Sequence, residues 1–275
     1  MDIPFDFATY QPIVSVRVNG GRPAPFLFDT GASINVIGDA LAAELKLAPT
    51  GPSQSMTGGG QTVVSTRYVD GIMLGAAGVD WVGQRAAVLP MSARHFEGFI
   101  GAPILMRYAV QFDFPRRIVR LIDSERYEPP AGAARIPFEL QADLPVVRAQ
   151  VDAGAGPIEA RLMVDTGAGS VLVDLNRPFV DRHGLVDVIR DTAPSDRPAG
   201  IGGTAPFVYG AGKAVTLGGL VFERPRLGLS RATQGSSSRG ERDGVIGNQL
   251  LRRYVTTFDY RRRLLVLEPG TMAVR

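Results

Sequence analysis

The chain reads as one pattern written twice, and that duplication limits its fold more than any other feature. Ile3-Pro4-Phe5-Asp6-Phe7 returns as Ile136-Pro137-Phe138-Glu139-Leu140, an offset of 136 − 3 = 133 residues. Pro12-Ile13-Val14 returns as Pro145-Val146-Val147 at the same offset. Phe26-Leu27-Phe28-Asp29-Thr30-Gly31-Ala32 returns as Leu162-Met163-Val164-Asp165-Thr166-Gly167-Ala168, at 165 − 29 = 136. Leu74-Gly75 pairs with Leu217-Gly218 at 217 − 74 = 143, and Gly98-Phe99-Ile100-Gly101 with Gly244-Val245-Ile246-Gly247 at 244 − 98 = 146. Arg107-Tyr108 pairs with Arg253-Tyr254. The offset grows in small steps, as loop insertions would make it grow. The second copy carries the longer loops, among them the Ser-rich stretch Thr233–Gly240. A unit of about 135 residues is too long for a solenoid repeat and suits a duplicated domain. The expected division is a lobe over 1–123, a linker over 124–135 marked by Pro129-Pro130-Ala131-Gly132, and a second lobe over 136–275.

Within each copy the periodicity is that of strands. Ile13–Val18 alternates with period two and runs into Asn19-Gly20, a hairpin signal. Val110–Phe114 and Ile118–Ile122 repeat the strand–turn–strand theme, as do Val255–Tyr260 and Leu264–Glu268. Helix is expected only over Ile37–Leu45 and in short segments at Pro103–Arg107 and Gln249–Arg253, with Pro103 suited to a first helical turn. Trp81, the only Trp, is expected in the core or a groove wall.

Composition then removes competing chemistries. Hydrophobic residues make up 45% and charged residues 21%, a balance that excludes global disorder. No apolar run approaches the about 20 residues of a membrane span, and no basic start followed by an apolar stretch marks a signal peptide. With no Cys there is no disulfide framework, thiolate nucleophile or Cys zinc site. The two His, His95 and His183, lie far apart, and no G-x-S-x-G elbow accompanies either, so no metal centre and no Ser-His-Asp triad is expected. The net charge of +3 comes from scattered arginines, Lys occurring only at Lys46 and Lys213. Arg116-Arg117 and Arg261-Arg262-Arg263 sit where strands should turn and read as solvated turns, not as a nucleic-acid surface. Gly210-Ala211-Gly212-Lys213 is no phosphate loop, because Phe207 stands at the first Gly position and Ala214 replaces the metal-binding hydroxyl.

The chemistry-bearing signal is Asp-Thr-Gly-Ala, present once per copy. Each instance follows an apolar strand and precedes an apolar-apolar-Gly segment, at Phe99-Ile100-Gly101 and Val245-Ile246-Gly247. A glycine-rich turn lies between the two motifs in each copy: Gly58-Gly59-Gly60, and Gly200-Ile201-Gly202-Gly203. This arrangement resembles the aspartic peptidases, and most closely their retropepsin-like branch, over residues 3–123 and again 136–268. The resemblance implies an all-β acid-protease fold: two homologous retropepsin-like barrel lobes related by a pseudo-two-fold within one chain. It implies Asp29 and Asp165 as a catalytic dyad, with Thr30 and Thr166 locking the two loops and Gly31, Gly167, Ala32 and Ala168 in support. Gly58, Gly59, Gly60, Gly202 and Gly203 would be tips of two flaps closing over an extended polypeptide substrate. No cofactor is implied, and both motifs in one chain imply activity as a monomer. A periplasmic or otherwise exported address is expected by the same resemblance.

The residue types suit the task. Two carboxyl groups about 3 Å apart cannot both ionise, as is established for aspartic proteases as a class, so one can act as base while the other donates. Pepsin-like enzymes usually have Ser or Thr after Asp-Thr-Gly; Ala32 and Ala168 lack that donor, so a mildly acidic optimum is expected here. The alternative is a silent peptide-binding protein of the same fold, which replacement of either Asp would have favoured; neither is replaced. A lipocalin-like carrier would leave the twin motif without a reason.

Overall fold

The computed structural model describes residues 1–91, 94–189 and 192–270. The first half holds β1 (Asp2–Asp6), β2 (Ile13–Val18), β3 (Pro23–Phe28), β4 (Asn35–Gly38) and β5 (Thr50–Met56). It continues with β6 (Val64–Ala76), β7 (Val79–Leu89), β8 (Gly98–Ile100), β9 (Ala109–Asp113) and β10 (Ile118–Ile122). Its helices are α1 (Asp39–Glu44) and α2 (Ala102–Leu105). The second half holds β11 (Ala134–Gln141), β12 (Leu144–Asp152), β13 (Pro157–Val164), β14 (Val173–Leu175), β15 (Ala193–Pro198) and β16 (Thr204–Ala211). It continues with β17 (Ala214–Leu217), β18 (Leu220–Glu223), β19 (Arg226–Ser230), β20 (Gly244–Ile246), β21 (Tyr254–Asp259) and β22 (Leu264–Pro269). Its helices are α3 (Arg177–Arg182), α4 (Leu185–Val188) and α5 (Asn248–Leu251).

In the first half the pairings close a barrel: β2-β3-β8-β4-β7-β6 and back to β2. The ring recurs in the second half as β12-β13-β20-β14-β19, with β16 beside β19 and β17 beside β12. There β16 and β17 share the work of the single long β6, because Gly212 and Lys213 interrupt the strand. A methyl group on Gly212 would come 2.5 Å from Leu227, so this break brings the backbone close to the core. Alternation drives each barrel: β2 buries Val14, Val16 and Val18 and leaves Ser15 and Arg17 outside.

A third, antiparallel sheet draws on both halves in the order β1-β10-β9-β21-β22-β11. At its centre Gln111 of β9 faces Thr257 of β21. These are equivalent positions, since 257 − 111 = 146, so the pseudo-two-fold axis passes between them. The Gln111 amide donates to the Thr257 hydroxyl at 3.2 Å.

Several sequence expectations find their physical reasons here. At the Asn19-Gly20 turn both residues have positive φ, 48° and 73°, the backbone that a tight hairpin needs. The paired arginines are turn residues: Arg116 bonds Asp113 and Arg262 bonds Asp259, each through backbone and guanidinium. Trp81 is buried, its indole donating to the Tyr108 hydroxyl at 3.1 Å. His95 is exposed and His183 packs on Phe179. Two expectations need correction. The helix read over Ile37–Leu45 starts only at Asp39, because Val36 and Ile37 are buried in β4 between β7 and β8. The segment read as a linker to residue 135 ends earlier, since Ala134 and Arg135 already pair with β22, and within it Tyr127 is buried against Ala109 and Val266.

Candidate active site

Each Asp-Thr-Gly loop leaves a strand in a parallel pair, β3 beside β8 and β13 beside β20. The Asp backbone then continues the ladder: Asp29 N donates to the Ile100 carbonyl at 3.0 Å and Asp165 N to that of Ile246 at 2.9 Å. Behind the loops, Ala102 N bonds the Ala32 carbonyl at 2.9 Å and Asn248 N that of Ala168 at 3.0 Å. Gly101 and Gly247 make that approach possible. A methyl group on Gly101 would lie 2.6 Å from the Ala32 carbonyl oxygen, and one on Gly247 would lie 2.8 Å from the Val171 side chain.

The loops meet across the axis through a reciprocal set of buried bonds. Thr30 N donates to Thr166 Oγ1 at 3.1 Å, and Thr166 N to Thr30 Oγ1 at 3.0 Å. The two hydroxyls then donate across the interface, Thr30 Oγ1 to the Val164 carbonyl and Thr166 Oγ1 to that of Phe28, both at 2.8 Å. Both backbone N–H groups and both hydroxyls of the two threonines are thereby spent on holding one lobe to the other. Further contacts add to this grip. Gln11 Nε2 donates to the Gly167 carbonyl at 2.7 Å, and Asn248 Nδ2 reaches the carbonyls of Tyr10 and Thr166 at 2.8 and 2.6 Å.

This clamp sets the two buried carboxyl groups against each other across the axis. Each also accepts a backbone N–H, Asp29 from Gly31 at 2.8 Å and Asp165 from Gly167 at 2.7 Å. The approach is close enough that a methyl group on Gly31 would sit 2.5 Å from the Asp165 carboxyl carbon, and one on Gly167 2.8 Å from that of Asp29. Burial pushes both carboxyls above the ordinary range, and the charge of Asp165 raises Asp29 further. The backbone donors and the nearby Arg94, Arg197 and Arg242 oppose that rise without cancelling it. Both shifts run toward holding a proton at a pH where an isolated carboxyl releases it.

The glycine-rich turns are tips of hairpins, β5–β6 and β15–β16, and they touch each other. Gly60 N donates to the Ile201 carbonyl and Thr62 N to that of Gly202, both at 2.9 Å. Ile201 packs into the apolar cluster of Leu27, Phe96 and Phe99, which also includes Ala32 beside Asp29. A cavity of about 330 Å³ adjoins the joined tips, lined by Thr62, Val64, Leu89–Met91, Arg94 and Ile201–Gly203. The Ser-rich loop over 233–240 holds the first tip from its other side. Ser236 N donates to the Gly58 carbonyl at 2.9 Å, Thr233 bonds the Gln61 side chain, and Arg239 bonds Thr57 Oγ1 at 3.0 Å.

All the residues singled out in the sequence thus lie at the loops or the tips. Gln11, Arg94, Asn248 and the Ser-rich loop's grip were not legible, because each acts on a part of the chain more than 80 residues away. Asp174 was missed too: it replaces Val36 of the first copy and pairs, buried, with Arg197 of the β15–β16 hairpin.

Residues 14–104 match the family model described as aspartyl protease. None of the curated protein sequences matches the chain closely enough to count as a relative. Among solved structures the chain is similar to an aspartic proteinase from Irpex lacteus. The TM-score is 0.65 at 14% identity, with 98% of this chain and 97% of that one covered. A likeness at that identity establishes the fold, and it spans both lobes.

Proposed function

From a chain that has the aspartic proteinase fold and matches the aspartyl protease family over residues 14–104, we propose an endopeptidase that works through an intramolecular Asp29–Asp165 dyad. The observation that carries this is the close approach of two buried carboxyls, fixed by the reciprocal threonine bonds across the axis. One proton on the pair gives both functions at once. The charged partner takes a proton from a water as that water attacks the peptide carbonyl carbon. The protonated partner donates to the carbonyl oxygen as it gains charge, forming a neutral tetrahedral diol. As the C–N bond then breaks, the amine leaves with the dyad's proton, and a diol hydroxyl passes its proton to the dyad as the carboxyl product forms, restoring the singly protonated state. The dyad titrates as a unit, so neither Asp owns one role throughout.

The joined hairpin tips support an extended polypeptide substrate. Gly58–Gly60 and Gly202–Gly203 bring bare backbone to the cleft, where an extended chain could replace the tip-to-tip bonds with its own. Entry requires those bonds to open, and closure excludes bulk water from the reacting centre. With both aspartates in one chain, the monomer is the active unit in this reading. An exported, periplasmic site of action belongs to the same proposal on the family resemblance alone, and cell fractionation tests it.

The deciding experiment is digestion of an unbiased peptide library by the wild type and by Asp29→Asn. Cleavage at internal bonds by the wild type, abolished in a folded Asp29→Asn protein, is the expected result. No cleavage, with specific peptide binding by both proteins, would replace the enzyme by a silent binding protein of the same fold.

A further inference from the structure

The duplication allows the two halves of the cleft to be compared position by position, and at one of them an arginine stands where the first half is apolar. In the first half, Leu27, Phe96 and Phe99 form an apolar wall that reaches Ala32 beside Asp29; the two rings lie 5.3 Å apart. The equivalents follow from the offsets: 163 − 136 = 27, 242 − 146 = 96 and 245 − 146 = 99, giving Met163, Arg242 and Val245. Met163 and Val245 keep an apolar floor with Leu144 and Val146. Arg242, however, stands where Phe96 completes the wall. Its guanidinium lies against that floor, Nη1 2.9 Å from Met163 Sδ, two residues before Asp165.

Arg242 is half-buried, and it has no carboxylate within ion-pair distance among the described residues. Arg94 beside Asp29 shares that lack but gives its guanidinium to the Gly200 carbonyl, and other arginines are paired. Arg197 is matched by buried Asp174, and the turn arginines Arg116 and Arg262 by Asp113 and Asp259. The adjacent Glu241 side chain is exposed, and Asp243 is committed to the Arg161 backbone N–H at 2.8 Å. A partly desolvated guanidinium that feels Glu241 and Asp165 only at a distance, with no carboxylate in contact, costs stability, and a carboxylate arriving from the cleft would supply a bidentate partner.

We propose that Arg242 receives an acidic side chain of the substrate, so that the bond cut lies between a large apolar residue, seated on Leu27, Phe96 and Phe99, and a Glu or Asp. This rests on the peptidase reading given above and names its substrate class. The two-fold relation carries it: an extended chain crossing the dyad turns the two residues flanking the scissile bond toward opposite lobes. Arg242 also keeps the incoming carboxylate from adding uncompensated negative charge beside Asp165, whose ionisation it already favours.

The test uses peptides blocked at both ends, so that the only carboxylate is the side chain in question. Phe is placed on one side of the scissile bond and Glu, Gln or Phe on the other, in both orders. Wild type is expected to cleave the Glu peptide at least about tenfold better than the Gln peptide, the difference lying mainly in KM. Arg242→Phe, which copies the first lobe, should reverse the preference toward Phe; Arg242→Lys should keep part of it. The preference should fade as pH falls below about 4, where the substrate carboxyl protonates. Equal rates for Glu and Gln, or a Glu preference that survives in Arg242→Phe, would overturn the proposal while leaving the peptidase reading intact. The same peptides are measured for binding to Asp29→Asn and to Asp29→Asn with Arg242→Phe. Tighter binding of Glu than Gln, lost with Arg242, supports the acidic subsite even if no peptide is cut, the outcome that would sink the peptidase reading alone. Should Arg242→Phe fail to fold, Arg242→Gln serves the same comparison.

Discussion

At the scale of single residues, the dyad trades stability for chemistry. Burial raises the folded-state pKa of Asp29 and Asp165 above the ordinary carboxyl value. Between the two values the native protein holds a proton that the unfolded chain has released, so stability falls as pH rises through that window. Asp29→Asn removes the conflict. Its Tm should exceed that of the wild type, by more near pH 7 than near about pH 4, while hydrolysis drops by several orders of magnitude. Thermal denaturation at the two pH values checks the sign, and a loss of stability growing with pH would contradict it. Arg94 acts in the opposite direction, since its charge lowers Asp29 and its guanidinium also bonds the Gly200 carbonyl of the opposite tip. Arg94→Ala should therefore move the acidic limb of the kcat/KM profile to higher pH. Ala32→Ser with Ala168→Ser should move it lower if the new hydroxyls donate to the outer carboxylate oxygens.

At the scale of elements, legibility followed the distance over which a residue acts. Asp-Thr-Gly-Ala could be read because three successive residues supply the carboxyl, the clamp and the close approach. The strand–turn–strand pairs could be read because their partners are adjacent. Ile37 misled the helix assignment because an apolar residue before a helix looks the same whether it joins the helix or, as here, fills a buried strand. The Ser-rich loop was legible as an insertion but its target was not, since that target is the first tip, with Ser236 lying 236 − 58 = 178 positions after Gly58. Arg242 was passed over for another reason: the offset pairs it with Phe96, but only the fold sets it against Met163 and near Asp165. The elements carry two expectations of their own. Thr166→Val strands the Thr30 N–H and the Phe28 carbonyl in a buried place, at a cost of about 2–3 kcal/mol in denaturant titration, with activity falling as the loops loosen. Gly60→Ala forces its methyl group into the backbone of Gly202 and so parts the tips. Its signature should be a raised KM and lowered kcat/KM with little change in Tm; an unchanged KM would mean that tip contact plays no part in holding substrate.

At the scale of the whole molecule, the fold fuses what could be two chains, and the fusion sets how activity depends on concentration. The shared sheet places β9 against β21, with Gln111 and Thr257 at its axis, and flanks them with strands from both lobes. The threonine clamp then joins the loops at the same axis, and the hairpin tips and the Ser-rich loop join the lobes above it. Each aspartate needs the other lobe for its position, and covalent connection holds that lobe at an effective concentration that dilution cannot lower. Specific activity should accordingly stay constant as the enzyme is diluted through the nanomolar range. Mixing Asp29→Asn with Asp165→Asn should restore nothing, because every clamp in the mixture joins one intact aspartate to one asparagine. Exchange of lobes between chains is the one route to a wild-type site, and it would have to break the six-stranded sheet, the clamp and the tip contacts together before re-forming them. Activity that recovers on mixing, in step with a dimer seen by light scattering, would show that these contacts open far more readily than their number implies, and that the working enzyme is assembled between chains.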